Sequence, residues 1–179
     1  MNEIEKGIAA ALEVGFTHAV RLDVKTLTLL PEVRKMCAAN SCGKYDRNWS
    51  CPPGCGTLED CRRKVMSYRW GVLVQTVGEL EDNLDYETMK KTEERHKKAF
   101  LLGTERLRDL FPGLLALGSG CCTLCTECTY PSNPCRMPPK RVSSLEAYGI
   151  IVSDLCKKNN LNYYYGPNMI AYTSCYLLG

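Results

Sequence analysis

The run CTLCTECTYPSNPC places Cys122, Cys125, Cys128 and Cys135 at spacings of x2, x2 and x6. No other feature limits this chain so strongly, because one short loop must deliver four thiols at the spacing that wraps a compact inorganic centre. A C-x2-C-x2-C stretch curls so that three thiolates point at one cube, and a later cysteine closes the fourth corner. The same four sulfurs suit a tetrahedral zinc less well, since structural zinc sites usually pair two C-x2-C hooks across a longer gap. An iron–sulfur cluster is therefore the first expectation for this loop, and zinc the alternative.

Five further cysteines, Cys37, Cys42, Cys51, Cys55 and Cys61, sit in one segment, and the whole chain has twelve in 179 residues. A disulfide framework is the bland account of such a count. Against it, the start MNEIEKGIAAALEVGF carries Glu3, Glu5 and Lys6 and lacks the basic and apolar regions of a secretory signal. The chain is long enough to bury a core without staples, and the adjacent Cys121 and Cys122 are awkward as two separate bridges. Reduced thiols held by metal in the cytoplasm fit better.

The length suggests a single α/β domain over 1–179, with cysteine-rich loops at 37–61 and 120–139. No stretch approaches the roughly 20 apolar residues that span a bilayer, so no membrane partner is expected. The formal charge of +3 is too small to argue for nucleic acid, and the basic bunches lack the interleaved aromatics of a single-strand platform. Basic side chains beside a cluster do raise its potential or guide an acidic redox partner. The chain shows neither a G-x-x-x-x-G-K-[ST] phosphate loop nor a G-x-G-x-x-G fingerprint.

Periodicity predicts alternating helices and strands. Ile4, Ile8, Ala11 and Leu12 recur at helical spacing before Gly15, and Ala19 to Val24 alternates as a strand with one wet face. Pro31 opens a short helix through Val33, Met36 and Cys37. Thr57 and Asp60 cap another, to about Tyr68. Gly71 to Val77 reads as a buried strand. Asp85 to Phe111 is the longest helix, with Met89, Ala99, Phe100, Gly103, Leu107 and Leu110 on one stripe and Pro112-Gly113 as its stop. Leu114 to Leu117 is a buried strand that feeds the cysteine loop through Gly118-Ser119-Gly120, where small residues let the backbone approach a bulky core. Ser144 is expected to cap a helix to about Asn159. Leu161 to Tyr165 and Met169 to Leu178, separated by Gly166-Pro167-Asn168, suggest a C-terminal β-hairpin. Together these elements predict a mixed sheet flanked by helices.

Two separated strings, in order, resemble an uncharacterised prokaryotic family of predicted metal-binding proteins. The first is Cys37-Ala-Ala-Asn-Ser-Cys42-Gly-Lys-Tyr45 followed by Asn48-Trp49-Ser50-Cys51-Pro52-Pro53. The second is Gly120-x-Cys122-x-x-Cys125-x-x-Cys128 with Cys135-x-x-Pro138, then Ser144 to Gly149. The resemblance covers roughly Arg34 to the C-terminus and implies metal binding without a reaction. It matches Cys37, Cys42 and Cys51 in the first half and Cys122, Cys125, Cys128 and Cys135 in the second. Cys55, Cys61, Cys121, Cys156 and Cys175 lie outside it.

Seven matched cysteines divide as four plus three. The second set saturates a [4Fe-4S] cluster and suits electron transfer. The first set leaves one iron open for substrate unless Cys55 or Cys61 supplies the fourth thiolate, and convergence of both sets on one larger cluster is a third arrangement. Three functions follow. One is a redox iron–sulfur protein with two [4Fe-4S] clusters, serving a redox partner or a small-molecule substrate. The second is a cluster-dependent enzyme that binds a sulfur or hydroxyl ligand without net redox chemistry. The third is a structural zinc protein that presents an interaction surface. His96 and His18 read as structural histidines, Cys156 and Cys175 as small buried apolar residues, and Tyr163 to Tyr165 as strand packing. Tyr45 is placed to donate a hydrogen bond to a cluster sulfur.

Overall fold

The computed structural model describes residues 1–179. Five strands form one mixed sheet: β1 (His18–Asp23), β2 (Trp70–Glu79), β3 (Leu115–Gly118), β4 (Ser143–Ser144) and β5 (Met169–Leu177). Their order is β1-β2-β5-β3-β4. Every pairing is antiparallel except β3 with β4, where Leu117 faces Ser143 and Gly118 faces Ser144.

Five α-helices cover the sheet: α1 (Glu3–Glu13), α2 (Pro31–Ala38), α3 (Leu58–Met66), α4 (Tyr86–Leu110) and α5 (Val152–Lys158). Alternate side chains of the two central strands divide between two cores, as the pleat requires. Val72, Val74 and Tyr176 pack with Ala10, Ala11, Phe100 and Leu107 of α1 and α4. Leu73, Cys175 and Leu177 pack on the other face with Cys61, Val65, Leu155 and Cys156 of α3 and α5. The α/β class, the two long strands and the capped helices are as the sequence predicts.

Helix boundaries follow local chemistry. Pro31 occupies the first turn of α2, where its missing N–H costs nothing. At α3 the Thr57 hydroxyl accepts from the Asp60 N–H at 3.1 Å, and the Asp60 carboxylate accepts from the Thr57 N–H at 2.9 Å. Thr57→Ala removes half of this reciprocal cap and is expected to lower stability by about 1 kcal/mol in denaturant titration. Asp60→Asn, which retains an acceptor, should cost less.

Four expectations are corrected. The C-terminal β-hairpin does not form: 161–165 is irregular, and β5 pairs instead with β2 along its whole length and with β3 from Cys175 to Leu177. Tyr163 and Tyr164 are consequently exposed, while Tyr165 stacks on His18 at 5.6 Å and donates its hydroxyl to Gln75 Oε1 at 2.6 Å. Ser144 opens no continuous helix; it ends β4, and Gly149 breaks the chain with φ +77°, where a Cβ would meet the Leu30 carbonyl at 2.8 Å. A short 3-10 turn at Glu146–Tyr148 and the bridge Leu29–Ile150 intervene before α5 starts. Leu110 leaves the buried stripe of α4 and is exposed.

Candidate metal centre

The parallel strands β3 and β4 both end toward the cysteine loops. Gly118 releases the chain into the loop carrying Cys121 to Cys135, and Ser144 runs into the turn that supplies Glu146 and Ala147. From the opposite side, the last turn of α2 brings Cys37, and the irregular segment 39–57 brings Cys42, Cys51 and Cys55.

The two loops are stitched together. Ser50, 1% exposed, donates its hydroxyl to Asn48 Oδ1 and accepts from the Cys122 N–H at 3.0 Å. Trp49 Nε1 donates to the Asn133 carbonyl at 3.0 Å, and the Tyr130 hydroxyl donates to Asp46 Oδ1 at 2.6 Å. The rings of Trp49 and Tyr130 meet edge to face at 4.9 Å, a favourable aromatic geometry. At Gly54 a Cβ would stand 2.6 Å from the Asn48 carbonyl and 2.9 Å from the Tyr130 ring, so only glycine allows this contact.

Six thiols line one cavity of about 690 Å³: Cys37, Cys42 and Cys51 from the first loop, Cys121, Cys122 and Cys125 from the second. Lys44, Tyr45, Glu93, Lys97 and Glu146 add polar groups to its wall. Lys97 pairs with Glu93 one helical turn away at 2.5 Å. Cys122 and Cys125 also border a smaller void of about 30 Å³ with Cys128 and Cys135, so the four cysteines of the second set share one wall. All twelve cysteines are free thiols, and no three Cys, His, Asp or Glu side chains converge closely enough to hold a single ion. The thiols ring a space instead of meeting at a point.

Burial pushes the Cys37 thiol up, and the Glu146 carboxylate adds to the shift. Cys51 is raised first by burial, then eased by the Asn48 side chain and opposed again by Cys121. Both therefore favour the protonated form without a metal, and binding one must displace protons.

Cys55 and Cys61 do not line this cavity and are almost fully buried, with the Cys55 thiol donating to the carbonyl of Ala147 on the cavity wall at 3.8 Å. Their thiols form a pair: Cys61 is lowered chiefly by the Cys55 thiol, and Cys55 is raised in turn by its partner. Arg34 Nη2 donates to Cys61 Sγ at 3.2 Å and to the Gly56 carbonyl at 2.9 Å. This guanidinium has no carboxylate partner, and its charge helps to lower the pKa of the Cys61 thiol.

His96 is 1% exposed, with Nδ1 2.9 Å from the Thr76 hydroxyl and Nε2 2.7 Å from the Ser174 hydroxyl. Both ring nitrogens are satisfied within the core, as a structural histidine requires. Cys156 and Cys175 are fully buried in the core beside α5.

Sequence reasoning missed Cys121 and the loop-joining residues Ser50, Trp49 and Tyr130. The Cys121-Cys122 doublet was the available signal for Cys121. The cross-loop contacts depend on distant segments meeting and leave no local pattern.

Fold and site together define an α/β protein in which cysteines from two loops line one cavity. The chain belongs to the family described as predicted metal-binding protein (DUF2284), whose model matches residues 20–178. Comparison with curated proteins and with solved structures gave no match. No helix is long and apolar enough to cross a membrane.

Proposed function

We propose that this is a cytoplasmic iron–sulfur protein carrying two [4Fe-4S] clusters, one for electron transfer and one facing a substrate cavity. The observation that carries this is the ring of six thiols from both loops around a single space of about 690 Å³. Soft thiolates select clusters or zinc. A ring of donors around a space suits a polynuclear group better than one tetrahedral ion.

Cys122, Cys125, Cys128 and Cys135 would hold the second cluster, and Cys37, Cys42 and Cys51 the first. Such groups supply one-electron transfer and, at an iron without a thiolate, Lewis-acid binding of a sulfur or hydroxyl ligand. Around them the chain's own residues set the chemistry. The Lys44 and Lys97 ammonium groups face a cavity that also holds the Glu93 and Glu146 carboxylates, which favours a polar substrate over an apolar one. The Tyr45 hydroxyl lines the same wall and is available as a donor.

Cys121 stands on the cavity beside the first set, whereas Cys55 and Cys61 do not. If a fourth thiolate closes the first site, it is Cys121. Cys121→Ser is therefore expected to alter the electron paramagnetic resonance signal of the first cluster in reduced, anaerobically purified protein. Cys55→Ser should leave that signal and the iron content intact. The reverse pattern would reject this assignment.

A further inference from the structure

A second pocket, of about 210 Å³, lies beyond the cysteine cavity between α3, the end of α4 and the segment 138–148. Its wall includes Lys64, Arg108, Arg141 and Cys55, whose pKa is raised so that it stays a neutral thiol, and contains no carboxylate. None of these three cations has a salt-bridge partner, although ion pairs form elsewhere on α3 and α4, at Arg62, Arg63, Lys91 and Lys97. Arg108 spends one N–H on the Pro139 carbonyl at 3.1 Å, which fixes its guanidinium against the pocket rim.

Tyr148 supplies an independent observation. It is 4% exposed, it lines the pocket, and its hydroxyl makes none of the fold's side-chain hydrogen bonds, unlike those of Tyr68, Tyr130, Tyr165, Tyr172 and Tyr176. Burial holds Tyr148 well above the ordinary phenol range, so it remains an O–H donor at neutral pH. The hydroxyl has no protein partner, yet it is not a fully buried atom, so it is free to donate to a ligand in the pocket.

We propose that this pocket binds a small oxyanion bearing two or more negative charges, such as inorganic phosphate or the phosphate group of a small ester. Arg108, Arg141 and Lys64 provide the positive field, and Tyr148 donates the central hydrogen bond. Planar guanidinium groups suit phosphate because they offer paired N–H donors. A space of this size admits the oxyanion with at most a short organic body. The proposal does not depend on which metal group the cysteine loops carry. Arg141 also lines the small void of Cys122, Cys125, Cys128 and Cys135, so one side chain touches both sites.

Isothermal titration of the intact, anaerobically purified protein with inorganic phosphate and with glycerol 3-phosphate tests this, at constant ionic strength set with chloride. Saturable binding of one equivalent is expected, weakened about tenfold by Arg141→Met and by a smaller factor in Tyr148→Phe. Tighter binding of the ester would identify a metabolite site, and equal or weaker binding a site for the free ion; both retain the oxyanion pocket. Tyr148→Phe keeps the ring and its packing, so it remains informative if Arg141→Met fails to fold. Absence of saturable heat with either probe, or affinities unchanged in both variants, would overturn the proposal.

Discussion

Cys125→Ser is expected to remove about half of the iron, roughly four of eight atoms per chain, and the matching share of visible absorption. Cys125 lies on the wall shared by the large cavity and the small void of the second set. Serine keeps the size of the side chain, yet its hydroxyl is a harder donor that does not ionise like a thiol, so a cluster held there would lose a corner. The loop also loses an anchor. Its remaining ties to the first loop are the Cys122–Ser50, Trp49–Asn133 and Tyr130–Asp46 hydrogen bonds. Proteolysis within 121–135 should accordingly speed up in the variant, while the sheet and both cores stay intact. Iron content and absorption equal to those of the parent protein would remove Cys125 from the ligand set.

Acid is expected to weaken the fold through His96. Burial, with a smaller contribution from Lys97, lowers its pKa from 6.5 to about 4. Above pH 6.5 the imidazole is neutral in both states and the associated stability is fully present. As pH falls from 6.5 toward 4, the unfolded chain takes up a proton that the native state refuses. Stability then drops by about 1.4 kcal/mol per pH unit, about 3 kcal/mol in all. The hydroxyls of Thr76 and Ser174 suit a neutral ring, with one ring nitrogen donating and the other accepting. Urea titrations from pH 7 to 5 on the parent protein and on His96→Gln measure the effect. Any acid effect at the cysteine loops is common to both proteins, so the difference between their slopes isolates the histidine. Equal slopes would show that His96 titrates normally.

Much of the fold was legible because its signals are local. The alternation in β1, the apolar run of β2, the Thr57–Asp60 cap and the Asp85 start of α4 each depend on neighbours a few residues away. The C-terminal half misled for the opposite reason. Nothing within 161–165 reveals that β5 pairs along its whole length with β2, from far earlier in the chain, while β3 joins it only at Cys175 to Leu177. Ser144 shows the same limit: its hydroxyl does cap, accepting from the Ala147 N–H at 3.0 Å, but the turn it starts ends at Gly149 and does not run on into α5.

The site divides likewise. Spacing grouped the cysteines into two sets, and the fold brings both sets to one wall-sharing pair of voids. Spacing alone could not rank Cys55 against Cys121. CPPGC suggests a stiff hook that turns Cys55 back, yet Arg34 and Cys61, from two helices, draw that thiol into a buried pair. Cys121 reaches the cavity because Gly120, at φ +84°, turns the chain at the end of β3.

The central claim is tested most directly by iron, zinc and acid-labile sulfide analysis of protein purified without oxygen. Two [4Fe-4S] clusters predict about eight irons per chain with a matching amount of sulfide. Zinc without sulfide would contradict the account and leave two cysteine loops joined by a structural ion.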